Sequence, residues 1–361
     1  VTNGTIQRYY IMDPAKSYFQ GGSSGGRMAL MEAWKYPEDF DGIICGAPAM
    51  DYTGLVATFF AWLVQSNTGP DGKDIITPAK VGLIQKAVYE RCDKLDGLPD
   101  GLIDDPRQCD FDPAGLQCPL GQSSEDCLTE AEVKTLKAWY GGPKDSAGNQ
   151  LYPGGVPLGS EPYWWLWLTG NVKGAGRLIP LFAADFLAYM AFRDDPGPAY
   201  TAMDFDFDKD PEKLEFMAAV YNSDNPDLLK FKERGGKLIM WHGWADTIVP
   251  PFKTVDYYNA VEQKMRGKAE NLDFLRLFMV PGMDHCGLLS GPGINQMGFD
   301  PLSALEAWVE RGIPPESLLA TKKNKKGETI RTRPLCPYPQ TTKYKGSGDI
   351  NDSANFECVN P

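Results

Sequence analysis

Short apolar runs alternate with amphipathic stretches at the two ends of the chain but not in its middle. Near the start, Lys16–Gln20 and Gly42–Cys45 read as buried strands, and Arg27–Lys35 (RMALMEAWK) between them reads as a helix that Pro37 ends. A strand, helix, strand unit implies parallel pairing. The rhythm returns late: Lys237–Trp241 and Leu272–Val280 are strand-like, while Val255–Lys264 and Pro301–Arg311 are helical. Between these zones the chain is irregular, rich in Pro, Gly and Trp, and carries the aromatic run Tyr163–Trp164–Trp165–Leu166–Trp167. The pattern predicts an α/β protein whose sheet is built by residues 1–50 and 227–361 and interrupted by a lid, residues 51–226. No repeat of 20 to 50 residues is evident, and Lys322–Lys326 (KKNKK) reads as an exposed loop.

Composition narrows the function. A chain of 361 residues, 42% hydrophobic, can bury a large core in two or three structural units. A net charge of −12 disfavours nucleic acid and anionic membrane surfaces as partners, and a neutral or weakly charged small molecule fits better. No apolar run is long enough to span a bilayer. The chain does not begin with Met, so Val1 reads as a cut end. The eight cysteines include three pairs at short spacing: Cys92 with Cys109, Cys118 with Cys127, and Cys336 with Cys358. Such spacing in Pro, Gly and Asp-rich segments predicts disulfides, an oxidising compartment and a secreted protein, extracellular or periplasmic. Zinc is a poor alternative, because there are only two histidines and no C-x-x-C. Cys45 and Cys286 are left over, either as a bridge or as two free thiols.

Gly21–Gly22–Ser23–Ser24–Gly25 matches G-x-S-x-G at a strand-to-helix turn, the context of a nucleophile elbow. Small neighbours let the backbone turn sharply and expose the serine hydroxyl, and the amide of Ser24 then faces a developing oxyanion. Serine needs a base, and His242 and His285 are the only histidines. In the order nucleophile, acid, histidine, Asp246 follows the strand Lys237–Trp241 and His285 follows the strand Leu272–Val280. His285 is therefore the expected base and Asp246 its orienting acid. His242 precedes the acid and reads as structural, and Asp284, adjacent to His285, is the weaker rival for the acid. The segment CDKLDGLPDGLID places Asp93, Asp96 and Asp100 three and four residues apart, with carbonyls of Leu98 and Leu102 nearby. By spacing alone it is equally a calcium loop or a solvated Asp–Gly turn. The Trp164, Trp165 and Trp167 cluster reads as lid core rather than as a substrate wall.

With these residues in view, the chain resembles the tannase and feruloyl esterase family, which also contains a hydrolase of mono-(2-hydroxyethyl) terephthalate. The resemblance runs from about Ser17 to the C-terminus. It is most specific in SYFQGGSSGGRMALMEAWKYPEDFDGII, CDKLDGLPDGLIDDPRQCDF, GGKLIMWHGWADTIVPP and PGMDHCG. It implies an α/β-hydrolase fold with a large inserted lid, the triad Ser23, Asp246 and His285, and structural calcium on Asp93, Asp96, Leu98, Asp100 and Leu102. The substrates it implies are esters of ferulic, gallic or terephthalic type, derived from plant cell wall or polyester. Two departures stand out. The family's cysteine before the nucleophile, bridged to the cysteine after the histidine, is here Gly22, which leaves Cys286 without that partner. The family's long N-terminal portion, with one oxyanion donor, scarcely precedes Ser17, so either the start is cut away and a separate portion supplies those strands, or the sheet is small. A non-catalytic aromatic-ligand-binding remnant and a general lipase or peptidase are the alternatives.

Overall fold

In the computed structural model, residues 2–171, 173–265, 273–295 and 298–360 are described. Four strands form one parallel sheet in the order β1 (Tyr18–Gly22), β2 (Gly42–Gly46), β3 (Lys237–Gly243) and β4 (Leu275–Val280). Pairing runs from Tyr18 with Gly42 to Gly22 with Gly46, so β1 and β2 end level at glycines, while β3 and β4 continue two residues further to the pair Gly243 with Val280. Successive residues of a strand face opposite sides, and here both sides are apolar. Ile43, Cys45, Leu238 and Met240 pack on the Ser24–Lys35 and Phe252–Lys264 helices. Ile44, Ile239 and Trp241 pack on the Pro301–Arg311 helix through Leu305 and Trp308. Helices on both faces make this a buried parallel sheet, as the near-continuous apolar runs require.

The crossover from β2 to β3 carries a third core, formed by Phe59, Phe60, Leu136, Trp139, Trp164 and Phe186 among others. Disulfides Cys92–Cys109 and Cys118–Cys127 close its loops, and Cys336–Cys358 closes the C-terminal segment, all three pairs as the spacing predicts. Cys45 and Cys286 are both free and buried, so the alternative of a bridge between them is overturned. The Cys45 thiol instead donates to Gly26 O at 3.3 Å within the sheet-to-helix core.

Two elements depart from the sequence reading. The stretch Lys322–Lys326 is only partly a loop, because Lys322 and Lys323 end strand β5 (Leu318–Lys323), which pairs antiparallel with β6 (Thr329–Leu335). The half-buried Lys322 amine donates to the carbonyls of Gly291 and Pro292, which removes it from the solvated surface expected of a lysine run. A second ribbon, β7 (Thr341–Tyr344) with β8 (Phe356–Val359), follows. The predicted strand start at Leu272 lies outside the described residues. Among the described residues, no helix is long and apolar enough to cross a membrane.

Candidate active site

Ser23 sits at the end of β1 with φ 61° and ψ −123°, a backbone region that non-glycine residues seldom enter. Its neighbours make the turn sterically accessible: a Cβ on Gly21 would lie 2.3 Å from Gly25 O, and one on Gly26 would lie 2.5 Å from Gly46 O. The Ser23 amide donates to Gly46 O at 2.9 Å, fixing the elbow against β2. Ser24 opens the Ser24–Lys35 helix, where the first amides have no intrahelical acceptor, so its N–H is available to an anion beside Ser23.

The Ser23 hydroxyl meets His285 Nε2 at 2.8 Å, and His285 Nδ1 meets Asp246 Oδ2 at 2.7 Å. These contacts join residues 262 and 39 positions apart in the sequence. Asp246 is fully buried, and both of its oxygens are engaged: Oδ1 accepts the amides of Ile248 (3.1 Å) and Val249 (2.8 Å), while Oδ2 receives both imidazoles. Burial alone would raise its pKa, but His285 and His242 outweigh it and hold the carboxyl down at about 2. Burial likewise opposes a charged His285, yet the Asp246 carboxylate pushes its pKa well above the usual imidazole value.

His242 is satisfied and buried, as the sequence reading holds, and it also touches the acid. Its Nε2 lies 2.9 Å from Val249 O and 3.2 Å from Asp246 Oδ2, and its Nδ1 lies 2.7 Å from Thr254 Oγ1. A carbonyl can only accept, so Nε2 carries a proton and steadies Asp246. Asp284, the rival acid, spends its Oδ2 on the Leu289 amide and makes no hydrogen bond to either imidazole among the described residues. Burial and the nearby Asp246 charge raise its pKa to about 7.

A cavity of about 290 Å³ opens beside Ser23 and Ser24. Tyr52, Phe60, Phe182 and Phe186 supply aromatic walls, and Leu55 and Val56 come from a π-helical stretch, Gly54–Phe59, a conformation that recurs at functional sites. The Trp cluster divides. Trp164 is buried lid core and Trp165 is partly exposed, but Trp167 stands edge-on to the His285 ring with centroids 5.8 Å apart. The core reading therefore misses that Trp167 backs the imidazole, a contact between residues far apart in the chain that local spacing cannot register.

At the acidic loop, Asp93 Oδ1 accepts the amides of Asp100, Gly101 and Leu102, and Asp96 Oδ1 accepts that of Leu98 at 2.7 Å. Asp100 pairs with Arg333 and Arg331 through Oδ2, leaving Oδ1 buried without a partner. Asp104, the last residue of that segment and not among the ligands expected from it, lies beside them, and burial together with Asp96 and Asp100 raises its pKa to about 8. Among the described residues, no three acidic, histidine or cysteine side chains are arranged to hold a metal ion, so a cation there would need the Leu98 and Leu102 carbonyls too. The donor chemistry, all hard oxygen with one carboxylate oxygen unsatisfied, suits calcium.

A sequence profile described as "Tannase and feruloyl esterase" matches residues 1–359. The chain is 37% identical to the mono(2-hydroxyethyl) terephthalate hydrolase of Piscinibacter sakaiensis, over 99% of its own length and 66% of that protein's. It is 34% identical to a probable feruloyl esterase of Arthroderma benhamiae, with the same two coverages of 99% and 66%. Among solved structures, it is similar to the crystal structure of feruloyl esterase B from Aspergillus oryzae. That likeness has a TM-score of 0.86 and 28% identity, and covers 99% of this chain and 72% of that one. The chain thus spans about two thirds of the length of the curated relatives it matches. The parallel sheet with helices on both faces is the α/β-hydrolase-type fold of those neighbours.

Proposed function

The chain belongs to the tannase and feruloyl esterase family, and from that premise we propose that it is a serine carboxylic-ester hydrolase acting on esters of aromatic acids. The observation that carries this reading is the unbroken chain Ser23 Oγ, His285, Asp246 beside an aromatic-walled cavity. Ser23 attacks the ester carbonyl while His285 Nε2 takes its proton, and the Ser24 amide binds the oxyanion. His285 returns the proton to the leaving alcohol, giving an acyl-enzyme on Ser23. Water, activated by the same imidazole, then releases the acid. Asp246 holds Nδ1–H throughout and stabilises the imidazolium, and His242 holds Asp246.

Calcium belongs to the same proposal. Asp93, Asp96 and Asp100 with the carbonyls of Leu98 and Leu102 would hold it, and its charge would offset the repulsion among these clustered carboxylates. The unpartnered Asp100 Oδ1 supports this. The three disulfides support a secreted protein.

Steady-state hydrolysis of methyl ferulate, ethyl gallate and p-nitrophenyl acetate tests the function. The expected result is a higher kcat/KM on at least one aromatic-acid ester than on the acetate. Preference for the acetate would favour a general esterase, and binding of ferulate without turnover of any ester would favour a non-catalytic protein.

A further inference from the structure

Of the described residues lining the cavity beside Ser23, one is charged: Asp185. The Leu178–Tyr189 helix carries it three residues after Phe182 and one before Phe186, a spacing that puts all three on the side turned to the cavity. Asp185 is exposed at the mouth, so it presents a hydrated negative charge there. No Lys or Arg is among the described lining residues to balance it. The Arg27 guanidinium, which is not among those lining residues, lies over the Tyr52 ring, 5.6 Å from its centroid, and donates through Nη1 to Tyr221 O.

From this arrangement, and resting on the esterase reading above, we propose that Asp185 sets the charge selectivity of the acyl site. It favours neutral phenolic acyl groups and opposes those with a second, ionised carboxylate, such as terephthalate monoesters. The physical reason is proximity. The cavity is small, about 290 Å³, and Asp185 is among the residues that line it, so an acyl group filling the site shares that space with the Asp185 carboxylate. A distal carboxylate there meets a like charge, with no Lys or Arg among the described lining residues to pair it, and also loses water. A phenolic hydroxyl meets an acceptor instead. The net charge of −12 acts in the same direction at longer range.

The test compares two esters of the same ring, mono(2-hydroxyethyl) terephthalate, which is anionic, and bis(2-hydroxyethyl) terephthalate, which is neutral. The readout is the ratio of their kcat/KM values, with methyl ferulate as a third substrate. Asp185→Asn is expected to raise the anionic-to-neutral ratio about three- to tenfold at low ionic strength, and Asp185→Lys to raise it further. Near 1 M salt, where the screening length falls to about 3 Å, the gain should shrink toward one. A ratio unchanged in both variants, while the esters are still hydrolysed, overturns this proposal and leaves the esterase reading standing. No turnover of any of the three esters by the unmodified chain overturns the esterase reading and this proposal with it.

Discussion

Both histidines of the chain converge on one carboxylate, yet only His285 also reaches a hydroxyl of the elbow. Removing each should therefore fail differently. His285→Ala is expected to lower kcat by at least about a thousandfold with little change in melting temperature, because the proton acceptor is lost. His242→Ala should instead lower stability by about 1–3 kcal/mol, since Val249 O, Thr254 and Asp246 lose a buried partner, with a smaller drop in kcat. Equal losses of kcat in two equally stable variants would contradict the assignment of the base. Because Asp246 raises the His285 pKa, the free base forms only at higher pH. The pH profile of kcat/KM is thus expected to rise along a limb with its midpoint above about 6.5, and Asp246→Asn should move that midpoint down. A profile that falls between pH 6 and 8 would oppose this. At this scale the sequence exposes chemical type and order, which suffice to single out Ser23, Asp246 and His285, three side chains that the structure brings into contact. It hides contacts made by folding back, such as His242 on Asp246 and Trp167 on His285.

The elements that were legible share a feature: each is apolar on the side or sides it buries. The strands ending at Gly46 and Gly243 and the helix Pro301–Arg311 follow the sequence reading to within a few residues. The helices between β2 and β3 and the C-terminal ribbons do not announce themselves, because most of the former are short pieces set among irregular Pro- and Gly-rich segments and β5 to β8 are half-exposed strands with mixed faces. The π-helical stretch Gly54–Phe59 has no periodicity that distinguishes it from an α-helix. One consequence at this scale concerns the end of β1 and the turn His285–Gly287. A Cβ on Gly22 would lie 3.1 Å from Cys286 Sγ, close to the roughly 3 Å that a disulfide places between one Cβ and the opposite sulfur. Gly22→Cys is expected to form a disulfide with Cys286, tying β1 to the histidine turn. Thiol titration of the unfolded, unreduced chain should then fall from two groups to one, and the melting temperature should rise by a few degrees in a way that reductant abolishes. Three thiols and an unchanged melt would contradict the geometry.

At the scale of the molecule, the acidic loop joins parts that are far apart in sequence. Asp100 pairs with Arg333 of β6, and the Asp100 carbonyl accepts from Arg331, so the segment between β2 and β3 and the C-terminal ribbon meet there. Calcium on this loop would stabilise both through mass action, since the unfolded chain offers no preformed site. Chelation is expected to lower the melting temperature by several degrees, and Asp96→Ala should remove that response. An identical melt with and without chelator would return the loop to a solvated turn. The parallel sheet brings the C-terminal ends of β1, β3 and β4 to one edge, with β3 and β4 running two residues past the level of Gly22, so that a serine, an acid and a histidine from three strand ends meet beside one aromatic cavity. The central claim is that Ser23 carries the acyl group. Rapid quenching of the chain with methyl ferulate, followed by intact-protein and peptide mass measurement, reads this directly. The expected result is one feruloyl group per chain on the peptide containing Ser23, absent from Ser23→Ala, which should also be inactive. Continued hydrolysis by Ser23→Ala, or an adduct on another residue, would contradict it.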